Sequence, residues 1–133
     1  MVMSRAVLDI TCSSDIIRVR QAVRQMAVEM KFSLVDQTKI VTAASELARN
    51  TLDYGGGGTV EMEVLETFNR RGLRLIFVDQ GPGIPNLELA LKDGFTTGGG
   101  LGMGLGGTKR LMNEFEIISR VGEGTWVTII KWK

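Results

Sequence analysis

The chain has 133 residues, of which 44% are hydrophobic and 23% charged, so it is long enough for one domain with its own core and too apolar for a disordered tail. Its 16 Lys and Arg residues are scattered and balance 15 Asp and Glu residues, which argues against a nucleic-acid-binding protein. The absence of histidine excludes Ser-His-Asp or Cys-His catalysis, a histidine metal site and a phosphohistidine relay on this chain. Acid–base chemistry would have to use carboxylates, lysine, tyrosine or water.

The N-terminal residues lack the apolar segment of a signal peptide, and no stretch approaches the roughly 18 apolar residues of a membrane span. The lone cysteine, Cys12, cannot form an internal disulfide and is expected to be a small buried thiol. These features predict a cytoplasmic protein with a single domain over residues 1–133 and without a membrane partner.

In chain order, weak alternation over residues 5–10 predicts a first strand. A helix follows, capped by Ser13 or Ser14, and its apolar residues recur every three or four positions. Ser33 offers a second N-cap, with Asp36 three residues on, for a long helix from about Leu34 to Tyr54 that the run Gly55–Gly58 ends.

Two strands are predicted next, over residues 59–66 and 73–79. The first alternates, with Glu61, Glu63 and Glu66 facing outward, and the second contains the continuous apolar run 75–78, which suggests burial on both faces. A short amphipathic segment (86–92), a glycine-rich region (94–107), a helix around 106–113 and two closing strands (115–120 and 125–132) complete the chain. Strands joined by short turns predict an α/β two-layer sandwich (α+β), with a mixed, mostly antiparallel sheet and the helices on one face.

Glu46 and Asn50 lie four residues apart on the long helix and therefore share one of its faces. The Asn oxygen is a neutral ligand for a hard cation whose shell phosphates and waters complete, and the Glu carboxylate can orient or deprotonate a hydroxyl. Taken alone, this pair is more typical of a solvated helix face. Arg49 and Asp53 form a further pair at the same spacing, expected to be a surface ion pair.

The segment Asp79-Gln-Gly-Pro-Gly-Ile-Pro85 follows directly on a predicted strand. Its aspartate can accept a hydrogen bond from an exocyclic amine such as that of adenine. Gly81 and Gly83 lack the side chains that would keep a flat ring away from the backbone. A tight turn with Asp as turn former is the alternative interpretation.

Eight of the 17 glycines fall between Gly94 and Gly107, where the chain runs into a predicted helix. Backbone N–H groups free of side chains, followed by a helix N-terminus, form an anion site. The spacing also matches a dinucleotide fingerprint and a rearranged phosphate-binding P-loop, but neither fits because no strand precedes it. A flexible linker is the other alternative, and the alternating Leu101, Met103 and Leu105 argue against it.

In combination, four motifs of this chain resemble the GHKL family, the Bergerat-fold ATPases of gyrase, Hsp90, histidine-kinase and MutL type. The motifs are Glu-x-x-x-Asn on a helix, Asp-x-Gly-x-Gly after a strand, a Gly-x-Gly-x-Gly loop that opens a helix, and Gly-Thr before the last strand. Three segments narrow the resemblance to the anti-sigma-factor serine/threonine kinases, most closely the RsbT-type switch kinases of the bacterial stressosome: Ser45–Asn50, Asp79–Pro85 and Asp93–Leu105.

The resemblance implies a single histidine-kinase-like ATPase domain that uses ATP and Mg²⁺. In that pattern Asn50 holds the metal, Asp79 reads the adenine amine, Thr125 assists at the adenine, and Gly81 and Gly83 form the adenine loop. The loop that wraps the phosphates comprises Gly100, Leu101, Gly102, Met103 and Gly104.

The reaction implied is transfer of the ATP γ-phosphoryl group to a Ser or Thr hydroxyl of a STAS-domain scaffold or antagonist protein, with activation of a PP2C-type phosphatase once the kinase is released. A sigma factor is a further possible partner. In this scheme Glu46 accepts the hydroxyl proton and Arg49 stabilises the transferring charge, although a surface ion pair is at least as plausible for Arg49. Two alternatives stay open: a slow ATPase switch, and a non-catalytic binding module that holds a sigma factor or phosphatase and uses nucleotide structurally.

Overall fold

The computed structural model describes residues 1–84, 91 and 104–133 of the chain. Within these residues the elements are β1 (Val2–Ile10), α1 (Ser13–Glu29), α2 (Leu34–Asp53), β2 (Gly58–Glu66), β3 (Arg71–Asp79), α3 (Gly104–Leu111), β4 (Glu114–Arg120) and β5 (Gly124–Trp132). The expected segment 86–92 falls almost entirely outside the described residues.

The five strands form one sheet in the order β1-β2-β3-β5-β4, and every neighbouring pair is antiparallel. The predicted two-layer class and antiparallel character are therefore confirmed. The order places β3 beside β5, so Asp79 at the end of β3 lies opposite Thr125 at the start of β5. Two residues that are 46 positions apart in sequence thus meet where β3 ends and β5 begins.

The core lies between the helices and one face of the sheet. Its fully buried residues alternate along the strands and recur every three or four positions on the helices, and they include Val19, Val23, Leu47, Val60, Leu75 and Phe77. On β3 the residues Leu73, Leu75 and Phe77 are buried whereas Ile76 and Val78 are half-buried. The expectation that residues 75–78 are buried on both faces is therefore wrong, because the helices cover only one face.

The first turns of α1 and α2 are held by different hydrogen bonds. At α2 the prediction is confirmed, since the Ser33 hydroxyl accepts a hydrogen bond from the Asp36 N–H at 3.1 Å. At α1 neither predicted serine is the cap, because the N-cap residue is Cys12 and its side chain makes no capping hydrogen bond. The Asp15 carboxylate instead accepts bonds from the Thr11 N–H and hydroxyl, at 2.9 and 3.0 Å, and these bonds hold its pKa below the usual value.

Three side chains differ from expectation. Cys12 is exposed rather than buried. Glu63 faces outward as predicted, but it is buried under Arg74 of the neighbouring strand, whose Nε lies 2.7 Å from its carboxylate. Arg49 lies 4.0 Å from Glu46 rather than pairing with Asp53, among the ion pairs of the described residues.

None of the described helices combines the length and hydrophobicity that crossing a bilayer requires.

Candidate functional site

A pocket opens at the ends of two interior strands, where α2, the end of β3, the start of β5 and the start of α3 meet. Its walls are mostly apolar, with Leu47, Phe77 and Val127 among them, and its polar lining includes Asn50, Asp79 and Thr125. A pocket lined in this way can bind a flat aromatic ring that carries a few polar groups on its rim. The structure thus brings together four of the predicted site residues, Asn50, Asp79, Gly104 and Thr125.

Asp79 is the polar centre of the pocket. It is 8% exposed, and its Oδ1 accepts hydrogen bonds from the backbone N–H groups of Gly81 at 2.9 Å and Thr125 at 3.2 Å. Burial raises the pKa of this carboxyl, and the two N–H donors oppose that shift without cancelling it. Among the described residues no hydrogen bond reaches Oδ2, so this oxygen can accept a hydrogen bond from a ligand.

The run Gly55–Gly58, at the end of α2, is part of this site. A Cβ atom on Gly55 would lie 2.6 Å from Asp79 Oδ2, and one on Gly81 would lie 2.6 Å from the Gly55 Cα, so the turns pack backbone to backbone. Gly56 and Gly57 have φ values of +75° and +111°, which glycine adopts without strain. The sequence predicts only that this run ends the helix, whereas in the structure Gly55 also provides the space in which Asp79 sits.

Tyr54 was not predicted to contribute to the site, yet it lines the pocket. Its hydroxyl donates a 3.0 Å hydrogen bond to the Gly83 carbonyl, which ties the turn after β3 to the end of α2. Gly83 itself has a φ of +77° and a Cβ there would collide with the Arg120 carbonyl. The turn 79–83 is therefore fixed from three sides: α2, the glycine run and the end of β4.

Asn50 and Glu46 lie one helical turn apart on α2, but only Asn50 lines the pocket. Glu46 is 8% exposed, and its polar contact among the described residues is the 4.0 Å approach of Arg49, which is exposed. The arrangement places a carboxylate beside the pocket rather than within it.

The described residues contain no cluster of three or more carboxylate or cysteine side chains that could hold a metal ion by themselves. Asn50 fits one kind of divalent cation site, in which a magnesium ion arrives with nucleotide phosphates and waters and takes a single oxygen from the protein.

Gly104 begins α3 with a φ of +71°, and its carbonyl accepts a hydrogen bond from the buried Thr108 hydroxyl at 3.0 Å. A helix N-terminus at the pocket suits a negatively charged group such as a phosphate. The other predicted phosphate-loop residues, Gly100, Leu101, Gly102 and Met103, lie outside the described residues.

Comparison with known proteins shows that this fold is that of an ATPase domain. The chain belongs to the family of histidine kinase-, DNA gyrase B- and HSP90-like ATPases, whose sequence profile matches residues 35–133. ATP use follows from membership of this family.

Within the family the chain is 50% identical over 118 residues to the serine/threonine-protein kinase RsbT of Bacillus subtilis, and the match covers 89% of each protein. It is 33% identical over 119 residues to an anti-sigma F factor of Anoxybacillus flavithermus, covering 84% of this chain and 80% of the relative. The predicted family and the serine/threonine-protein kinase class are confirmed.

Solved structures share the fold. The RsbU and RsbW domains of a Mycobacterium tuberculosis protein superpose with a TM-score of 0.67 at 18% identity, and the match covers 98% of this chain and 33% of that one. The mycobacterial sensor histidine kinase MprB gives a TM-score of 0.58 at 21% identity, covering 97% of both chains.

Proposed function

We propose that this chain is a cytoplasmic, single-domain partner-switching kinase that transfers the γ-phosphoryl group of ATP to a Ser or Thr hydroxyl of a STAS-domain protein. After release from that protein it activates a PP2C-type phosphatase. The observation that carries the proposal is the pocket itself, which is lined by Asn50, by apolar side chains and by the buried Asp79, one of whose carboxylate oxygens accepts no hydrogen bond from the described residues. The 50% identity to a serine/threonine-protein kinase supports phosphoryl transfer over simple nucleotide storage.

In this proposal Asp79 accepts a hydrogen bond from the adenine amine, with Gly81 and Gly83 shaping the turn beside the ring. Asn50 would hold Mg²⁺, which on binding neutralises phosphate charge. Gly104 and the phosphate loop that precedes it would contact the phosphates with their backbone N–H groups.

Glu46 is proposed as the group that accepts the proton of the attacking hydroxyl. The chain has no histidine, and Glu46 is the carboxylate one helical turn before Asn50. Its position beside the pocket suits a group that meets the protein substrate rather than the nucleotide. Arg49, 4.0 Å from Glu46 and largely exposed, would approach the transferring phosphoryl group once a partner covers this face.

A non-catalytic role as an anti-sigma factor is the second candidate, favoured by the 33% identity to an anti-sigma F factor. Incubating the protein with γ-labelled ATP, Mg²⁺ and candidate STAS-domain proteins separates the functions. Label on a partner hydroxyl is the expected result. Free phosphate without labelled partner would indicate an ATPase switch, and retained ATP binding with neither product would indicate a binding module.

A further inference from the structure

β4 is an edge strand, and none of the described strands pairs with its outer side. The sheet order places it beside β5 alone, and its seven residues pair with β5 without a register shift. The other edge strand, β1, has a register shift between Val2 and Ser4. A shift of this kind discourages a further strand from adding to an edge, whereas a regular edge is a template for one. The backbone of β4 is therefore suited to accept another strand.

β4 also carries partly exposed apolar side chains on both of its faces. Phe115 and Ile117 pair with core residues of β5 and pack against the core, yet they are only half-buried. On the open face of the sheet Ile118 is 50% exposed, and Trp126, its direct partner on β5, is 53% exposed. A strand added beside β4 would remove apolar surface from water on both sides of the sheet at once.

The charges on the open face of β4 are self-complementary. Glu116, Ile118 and Arg120 follow one another along that face, and the two charged side chains are exposed and form no ion pair among the described residues. They lie about 13 Å apart along the strand, too far to pair with each other, because each residue of a strand rises about 3.3 Å.

A second β4 strand supplies the missing partners. If two β4 strands run antiparallel with Ile118 opposite itself, Glu116 of each copy lies opposite Arg120 of the other. Cross-strand pairs of opposite charge stabilise a sheet, and the two-fold symmetry makes the pair twice. In the neighbouring register, with Ile117 opposite itself, Glu116 would instead face the apolar Ile118.

We propose that two copies of this chain associate through antiparallel pairing of their β4 strands, centred on Ile118, which joins the two five-stranded sheets into one. Trp126 and Ile118 of one copy then continue into Ile118 and Trp126 of the other across the open face. The dimer goes beyond the proposed kinase function and does not depend on it, because neither Glu116 nor Arg120 lines the nucleotide pocket.

Charge reversal tests this pairing through the mass measured by sedimentation equilibrium across a dilution series. Wild type should approach twice the 14.6 kDa of one chain as its concentration rises. Glu116→Arg and Arg120→Glu each place two like-charged pairs in the interface, so each should weaken the dimer by at least about ten-fold. An equal mixture of the two variants should form a heterodimer as tightly as wild type dimerises, because both cross-strand pairs then join opposite charges.

Asp9→Arg is the matched control, since it makes the same change of charge on an exposed residue of β1, at the opposite edge of the sheet, and should leave dimerisation unchanged. Thermal denaturation and ATP titration of each variant check that the fold and the pocket are intact. A wild type that stays at 14.6 kDa throughout the series overturns the inference, and so does a dimer that survives either reversal. Variants that stay monomeric when mixed would refute the proposed register. In each case the ATP titration reports on the pocket separately.

Discussion

Replacing Gly55 with alanine should damage nucleotide binding, although Gly55 is a backbone spacer that contributes no side chain to the pocket. The added Cβ would lie 2.5 Å from the Asp79 Cβ, 2.6 Å from its Oδ2 and closer still to its Cγ. Non-bonded carbon atoms approach to about 3.5–4.0 Å, so the Asp79 side chain must move by about 1 Å. Gly55 does not have a positive φ, so the alanine is tolerated by the local backbone and the clash is the main effect.

The cost can be worked out from the hydrogen bonds that hold Asp79. A 1 Å displacement would lengthen its bonds from the N–H groups of Gly81 and Thr125, now 2.9 and 3.2 Å, toward or beyond 3.5 Å. Overpacking of this kind destabilises a fold by about 1–3 kcal/mol. Because Oδ2 would also leave its position at the pocket, we expect ATP affinity to fall by at least about ten-fold, or about 1.4 kcal/mol.

Gly56→Ala is the matched control, because a Cβ on Gly56 meets nothing within 4 Å while the residue has a φ of +75°. Left-handed backbone costs a non-glycine residue about 1–2 kcal/mol, so this variant should lose stability much as Gly55→Ala does. Thermal denaturation and calorimetric ATP titration of both variants distinguish the two effects. We expect similar stability losses but a loss of ATP affinity only in Gly55→Ala. Equal affinities in the two variants would refute the packing argument.

Three further substitutions test the site. Asp79→Asn should abolish ATP binding, since a hydrogen-bond donor replaces the free acceptor oxygen. Because burial raises the pKa of Asp79, the stability of the wild type should fall as the pH rises from the unfolded pKa of 3.8 through the folded pKa. The melting temperature of the variant relative to wild type should therefore increase from pH 4 to pH 7. A relative melting temperature that is independent of pH would contradict this pKa shift. Tyr54→Phe removes the 3.0 Å hydrogen bond to the Gly83 carbonyl. It should lower the free energy of unfolding, measured by thermal denaturation, by about 0.5–1.5 kcal/mol and weaken ATP affinity several-fold. Unchanged ATP affinity would show that ATP binding does not depend on this hydrogen bond. Glu46→Gln should keep ATP affinity while labelled-phosphate transfer to the partner falls by about 10²–10⁴-fold, the usual contribution of a general base; undiminished transfer would remove Glu46 from this role.

The sequence predicts local features of this fold well. Ser33 and Asp36 mark the start of α2 because a capping hydrogen bond spans only three residues, and the structure contains that bond. Alternation places Val60 and Met62 in the core, since side chains alternate between the two faces of a strand. The spacing of Glu46 and Asn50 likewise places both on one side of α2.

What the sequence does not predict depends on which strands are neighbours. The contact between Asp79 and Thr125 requires β3 to lie next to β5, and the link from Ser119 to Ile84 requires β4 to lie beside the turn after β3. The role of Gly55 arises from the approach of two turns that are distant in sequence, which no local pattern records. Two features of the sequence hint at this approach: the glycine run at the end of α2, the helix that carries Asn50, and the pair Gly81 and Gly83 after Asp79.

The coupling of ATP consumption to partner phosphorylation tests most directly whether ATP bound in this pocket serves a kinase. Under single-turnover conditions with γ-labelled ATP, Mg²⁺ and a STAS-domain partner, we expect about one phosphoryl group on a partner Ser or Thr for each ATP consumed, and none with Asp79→Asn. A ratio near zero, with the label released as free phosphate or left in ATP, would contradict it.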